Sequence, residues 1–386
     1  MRFFHLSDLH IGRQLHHYSL LEDQRHILNE VIGYVEQMHP DAVVIAGDIY
    51  DKPVPSGEAV TLFDDFLTRL AKIEPSVAVL IISGNHDSAQ RLDYASRILG
   101  RQNIYIAGEV PGKKEEYLKK VTLLDDQGEV DFYLLPFLKP GYVRNLFEEG
   151  RPESYSEAVA QILAREKIDR KRRNVLVSHQ FYTGNGYAPD TCDSEMFSVG
   201  GIDNVDIQPL LDFDYAALGH LHRAQQVGET SIRYCGTLLK YSVSEAEHKK
   251  NLYMIDLKGK GEGFHMKLLP LHPLRDVRRV RGNLAEILEN ASPDNREDYI
   301  SITLTDETDP YKPKEQLEKV YSHILEIRMD NMRTRKRLEE FGGEVEIKDP
   351  LSVFDDFYKE IQGRAMSAEE RDILEQVLDR AKGEQV

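Results

Sequence analysis

Five apolar runs in this chain end abruptly in polar residues capable of chemistry, and that recurrence restricts the fold more than any other feature. The run Val77-Ala78-Val79-Leu80-Ile81-Ile82 stops at Ser83-Gly84-Asn85-His86-Asp87. A short, continuous, β-branched run of this kind is how a strand covered on both faces reads. The same grammar recurs where Met1–Leu6 meets Ser7-Asp8-Leu9-His10, and where Ala42–Ala46 meets Gly47-Asp48-Ile49-Tyr50-Asp51. Asn174–Val177 meets Ser178-His179, and Tyr215–Leu218 meets Gly219-His220-Leu221-His222. Polar groups bunched at the carboxyl end of a buried strand build a poor core. They suit a site in the crevice above a parallel sheet.

Between the strands the period changes. Residues 22–38 place Ile27, Leu28, Val31, Val35 and Met38 at helical spacing, and 57–72 do so with Val60, Phe63, Phe66, Leu67 and Leu70. Strand, helix, strand, helix, strand predicts an α/β chain with a mainly parallel sheet. Further helices are expected at 88–99 and 154–173, the latter ending in the basic run 167–173, with short strands over 104–135. Strands near Ile232–Cys235 and Asn251–Ile255 are expected to form the second sheet of a sandwich. Near Leu274 the character shifts to a small α+β unit, and dense charge with Gly342-Gly343 precedes two amphipathic segments, 351–361 and 367–381. The expected division is 1–274, 275–340 and 341–386. A chain of 386 residues is long for one core, which fits more than one domain.

The run-ending residues are Asp, His and Asn, never Cys. Residues two apart in extended backbone point to one side, so Asp8 with His10, and His220 with His222, can each grip an ion. Glycines before Asp48, Asn85 and His220 are expected to let the backbone turn sharply. Asp8, His10, Asp48, Asn85, His179, His220 and His222 are too many for one tetrahedral ion and suit two ions sharing a carboxylate. Oxygen and imidazole ligands without thiolate point to Mn²⁺, Fe or Zn²⁺. The other histidines show no partner pattern, although His16 and His17 follow the first motif closely enough to reach a cleft.

No apolar stretch approaches the ~20 residues of a membrane span, and the chain enters a strand directly at its start, which leaves no room for a leader. Two cysteines, Cys192 and Cys235, make no disulfide framework and fit a reducing cytoplasm. Net charge is −17, so the chain by itself is a weak ligand for duplex DNA.

The order D-x-H, G-D-x-x-D, G-N-H-D, a lone His after a strand, then G-H-x-H resembles the calcineurin-like metallophosphoesterases. Ser7–Gly12, Ala46–Asp51, Gly84–Ser88, Ala217–Ala224 and Arg233–Thr237 resemble the SbcD-type DNA repair nucleases within them. The resemblance implies a β-sandwich flanked by helices, with a small capping domain and C-terminal helices. It implies two divalent ions, Mn²⁺ for preference, with Asp48 between them, Asp8, His10 and His222 on one, and Asn85, His179 and His220 on the other. His86 would protonate the leaving oxygen, a role suited to an imidazole, with Asp51 and Asp87 orienting it or the ligands. Some of these nucleases carry a second catalytic His near position 51, where this chain has Asp.

The implied function is ATP-dependent 3′–5′ double-strand exonuclease and single-strand or hairpin endonuclease action in DNA repair, recombination and replication. The implied partners are DNA, an SbcC-type SMC-like ATPase and a second copy of the chain, in the cytoplasm at the nucleoid. With no nucleotide-binding P-loop here, ATP hydrolysis belongs to the partner. The C-terminal segments would meet the ATPase coiled coil through Phe354, Phe357 and Ile361, and through Ile373, Leu374 and Val377. The rival readings are a phosphomonoesterase or cyclic-nucleotide phosphodiesterase on the same metal site, and an adaptor with vestigial metals. Seven filled ligand positions oppose the adaptor, and the long C-terminal extension opposes a small-substrate esterase.

Overall fold

The structure is a computed structural model that describes residues 1–184, 188–195, 203–332, 354, 357–359, 364–371, 373 and 374. Two six-stranded sheets lie face to face. The first runs, edge to edge, through Phe264–Pro270, Asn251–Leu257, Arg2–Leu6, Ala42–Ala46, Ala78–Ile82 and Ile104–Ala107. Its last four strands are parallel, and the first two antiparallel. The second runs through Gln225–Val227, Glu229–Tyr234, Tyr215–Gly219, Arg173–His179, Gly128–Leu135 and Lys119–Asp125, with a parallel centre.

The apolar runs are continuous because both faces of each central strand are covered. Val43, Ile45, Val79 and Ile81 pack outward on the helices Leu21–Met38 and Gly57–Ala71. Their neighbours Ala42, Val44, Leu80 and Ile82 face inward, onto Phe132, Leu134, Val175 and Ala217 of the other sheet. The outer face of the second sheet is covered by the helix Tyr155–Arg165. Ser56 caps the Gly57–Ala71 helix by accepting the Ala59 N–H, a contact typically worth ~1 kcal/mol. The result is a four-layer α/β sandwich with the parallel strands of both sheets ending on one rim.

Three expectations change. The 88–99 helix is two single turns, Ala89–Leu92 and Ser96–Leu99, interrupted at Ala95 with φ of 61°. The 154–173 helix stops at Arg165, and Arg173 already begins a strand. The basic run is therefore neither a helix end nor a free patch: Arg170 pairs with Asp212, Arg172 with Glu129, and Arg173 with Asp125. The Asn251–Leu257 strand joins the first sheet through Arg2–Leu6 rather than the second.

By Cα proximity the chain divides into Met1–Thr303 with Lys312–Ile327, and Leu304–Tyr311 with Arg328–Val386. In the first unit, Val277, Tyr299 and Leu325 join the core under the Leu21–Met38 helix, and Tyr299 donates to buried Asp23 at 2.9 Å. In the second, Ser367 and Glu370 form the expected capping box, with bonds of 3.2 and 2.8 Å. Phe354, Phe357 and Ile373 are exposed and Leu374 is half-buried, whereas Ile361 and Val377 lie outside the described residues. Among the described residues no helix is long and apolar enough to cross a membrane.

Candidate metal centre

All seven candidate ligands meet at the strand-end rim, and all but Asn85 are buried. His10 Nε2 faces His222 Nε2 at 3.1 Å. The Asp48 carboxylate lies between two imidazoles, with Oδ2 at 3.6 Å from His10 Nε2 and 3.4 Å from His179 Nε2. Asn85 Oδ1 sits 3.0 Å from His179 Nε2 and 2.9 Å from His220 Nδ1. Donor atoms of Asp8, His10 and His222 lie within 4.8 Å of one another, as do those of Asp8, Asp48 and His179. Asp8 thus stands with both groups. His220 and His222 part company, one toward Asn85 and the other toward His10.

The backbone explains that parting. Asp8, His10, Asp48 and His220 have φ of 53°, 43°, 52° and 104°, so the ligands themselves carry left-handed turns, joined before Asp48 by the expected glycine, Gly47, at 93°. Strain of this kind collects at functional sites. Gly84 and Gly219 serve close approach instead. A Cβ on Gly219 would meet the Ala46 carbonyl oxygen at 1.9 Å, and one on Gly84 the Asp48 carboxylate at 2.1 Å.

The electrostatics call for cations. Asp8 and Asp48 are both buried; burial pushes the Asp8 carboxyl up, whereas for Asp48 the pull of His179 and His10 outweighs burial and holds it down. Burial keeps His10 and His220 neutral, His220 near 3. Burial also opposes charge on His179, yet Asp48 and Asp8 push it up to about 9. His10 Nδ1 is buried without a hydrogen-bond partner. A cluster of buried carboxylates and lone-pair nitrogens without thiolate fits hard or borderline divalent cations.

His86 lies beside the ligands. Its ring meets His10 edge-on at 4.8 Å, its N–H donates to Asp48 Oδ1 at 2.8 Å, and its Nδ1 is 3.0 Å from the Asp51 carbonyl oxygen. The Asp51 carboxylate takes a bond from Arg13 at 3.0 Å. Asp87 accepts from the amides of Ile49, Tyr50 and Gly84, tying two ligand loops together. Burial, then Asp48, raises Asp87 to about 6. A cavity of about 810 Å³ opens beside Asn85 and His220, lined also by Phe137, Lys139, Tyr155 and Phe181. His16 and His17 do not line it.

Sequence reasoning missed the groups behind the ligands. Gln24 donates to the His10 carbonyl at 2.8 Å and accepts the Gly12 N–H at 2.9 Å, fixing the first loop. Ser194, Glu195, Glu245 and Lys250 surround His222. Only Arg13, directly after the first motif, carried a local signal.

Two packed sheets with buried carboxylates and imidazoles gathered at their strand ends are the arrangement of a metallophosphoesterase. The calcineurin-like phosphoesterase family matches residues 1–224, and the Type 5 capsule protein repressor C-terminal domain family matches 273–362. The SbcD component of the nuclease SbcCD from Staphylococcus epidermidis is 31% identical over 387 residues, covering 98% of both chains. Its counterpart from Staphylococcus saprophyticus is 29% identical over 381 residues, again covering 98% of each. The chain belongs to the SbcD family of nuclease subunits, within the calcineurin-like phosphoesterases. It is accordingly a metal-dependent phosphoesterase of the nuclease type, on a fold that carries divalent metals.

Proposed function

We propose that this chain cuts DNA phosphodiester bonds with two Mn²⁺ ions, as the nuclease half of a complex with an SbcC-type ATPase. The observation that carries the metal reading is Asp48 Oδ2, set 3.6 Å from His10 and 3.4 Å from His179 as a shared ligand requires. Asp8, His10 and His222 would hold one ion, and Asn85, His179 and His220 the other. When bound, such a pair activates water and neutralises charge developing on the scissile phosphate. His86 donates Nδ1–H to the Asp51 carbonyl, which leaves Nε2 to manage the proton on the leaving oxygen. Asp87 and Asp51 hold that geometry through the Ile49, Tyr50 and Gly84 amides and through Arg13.

The relatives' name makes them one component of an SbcCD nuclease, which supports a partner ATPase here. A net charge of −17 also favours a partner that supplies part of the grip on DNA. The docking segment is assigned to Phe354, Phe357, Ile361, Ile373, Leu374 and Val377, of which three are exposed among the described residues. The working form is a homodimer in the cytoplasm, with domains at 1–274, 275–340 and 341–386. Plasmid, hairpin and p-nitrophenyl phosphate substrates, assayed with Mn²⁺ with and without the ATPase, test the proposal. Turnover of the small monoester with no cutting of either DNA would sink it.

A further inference from the structure

The loop that follows His179 holds a group whose geometry sets the chemistry of His222. Ser194 Oγ is 2.7 Å from His222 Nδ1 and 2.7 Å from Glu245 Oε1. The side chains are enclosed: Glu245 is 0% exposed, His222 2% and Ser194 8%. Glu245 Oε1 also receives the Tyr241 N–H at 3.2 Å and the Ser242 hydroxyl at 3.1 Å, and Oε2 receives Lys250 at 2.6 Å. Among the described residues every hydrogen-bond partner of this carboxylate is a donor, so it acts as an acceptor only.

A hydroxyl has one proton to give. Facing an acceptor-only carboxylate, Ser194 gives it to Glu245, and its oxygen is left to accept from His222 Nδ1–H. That places the neutral imidazole in the tautomer whose Nε2 carries the lone pair. Nε2 is the atom that faces His10 Nε2 at 3.1 Å, within the Asp8, His10 and His222 group. The adjacent Glu195 accepts the His222 backbone N–H. Arg13 then ties the Ser194 carbonyl, at 3.0 Å, to the same guanidinium that holds Asp51.

We infer that Ser194, oriented by Glu245, is a positioning residue that selects the metal-binding tautomer of His222 and so tunes one ion site without tuning the other. The inference rests on the two-ion reading above. Partners that orient a ligating histidine are typically worth 10–100-fold in metal affinity. Among the described residues Ser194 has no bond to His179, whose Nδ1 is fixed instead by the Ala46 carbonyl at 2.7 Å. The second ion should therefore be indifferent to Ser194.

Calorimetric titration of the full, metal-free chain with Mn²⁺ tests this, beside ¹⁵N–¹H long-range spectra that report the His222 tautomer. Ser194→Ala should weaken one of two binding events about 10–100-fold, leave the other within threefold, and mix the His222 tautomers. Ser194→Thr, which keeps the hydroxyl, should restore both readouts. Equal weakening of both events, or an unchanged tautomer in Ser194→Ala, overturns the inference while leaving the two-ion centre standing. A wild-type chain that binds fewer than two ions refutes the metal reading itself, so the two failures are separable.

Discussion

Gly84→Ala isolates the shared carboxylate from the rest of the fold. An added methyl would lie 2.1 Å from Asp48 Oδ1, 2.4 Å from the Asp48 nitrogen and 2.7 Å from its Cγ. Contacts below 3.0 Å do not occur for real Cβ atoms, so the carboxylate oxygen must retreat by about 0.9 Å and the backbone by about 0.6 Å. Rotating the side chain cannot relieve a clash with its own main chain. Overpacking of this kind costs ~1–3 kcal/mol, within the 5–15 kcal/mol stability typical of folded proteins, so the variant should fold. The displacement falls on the atom group that spans His10 and His179 and that also receives the His86 N–H. A misplacement of ~1 Å is worth about 10²-fold in rate. We expect bis(p-nitrophenyl) phosphate hydrolysis with Mn²⁺ to fall at least that far, with weakened binding of both ions. Gly33→Ala, whose methyl meets nothing within 4 Å in the Leu21–Met38 helix, is the control; it should gain about 1 kcal/mol and keep full activity. A Gly84→Ala protein that binds two ions and turns over within threefold of wild type would refute the close-approach reasoning.

His86→Ala should retain both ions in metal analysis yet cut about 10²–10⁴-fold more slowly; loss of an ion instead would make His86 a ligand. His5, buried between Tyr215 and Tyr253, is pressed by burial from 6.5 to about 3, so the unfolded chain binds more protons between those values. Stability from this group is complete above pH 6.5 and is lost as pH falls toward 3, roughly 2 kcal/mol by pH 5. Urea melts of the metal-free chain at pH 7 and pH 5 should show that loss, reduced in His5→Gln; an equal loss in both proteins removes His5 as the cause. Truncation after Gly343 should leave Mn²⁺-dependent single-strand cutting intact and abolish both co-purification with the ATPase and ATP-dependent duplex degradation. A truncated chain that still binds the ATPase would return the C-terminal segments to their own domain.

What the sequence determined by itself was local. A continuous apolar run such as Ala42–Ala46 can be stable only with both faces covered, so strand, sandwich and rim were legible from it, as was the chemistry of Asp48 just beyond its end. Helices with one apolar stripe, such as Leu21–Met38, were legible for the same reason. The 88–99 helix failed because one left-handed residue, Ala95, breaks a pattern that spacing alone leaves intact. The assignment of the Asn251–Leu257 strand failed because an apolar strand suits either sheet, and pairing with Arg2–Leu6 depends on residues some 250 positions away. Shorter separations, 28 residues from Ser194 to His222 and 51 from Ser194 to Glu245, likewise hide the support of the metal centre. His220 turns from His222 through backbone angles that side-chain spacing does not encode. Tertiary structure alone brings Ser194 and Glu245, polar residues in stretches without period, to the far nitrogen of a histidine. Periodicity reports which faces are buried; which buried polar groups meet is set by loop closure between distant strands, and that is a property of the folded chain.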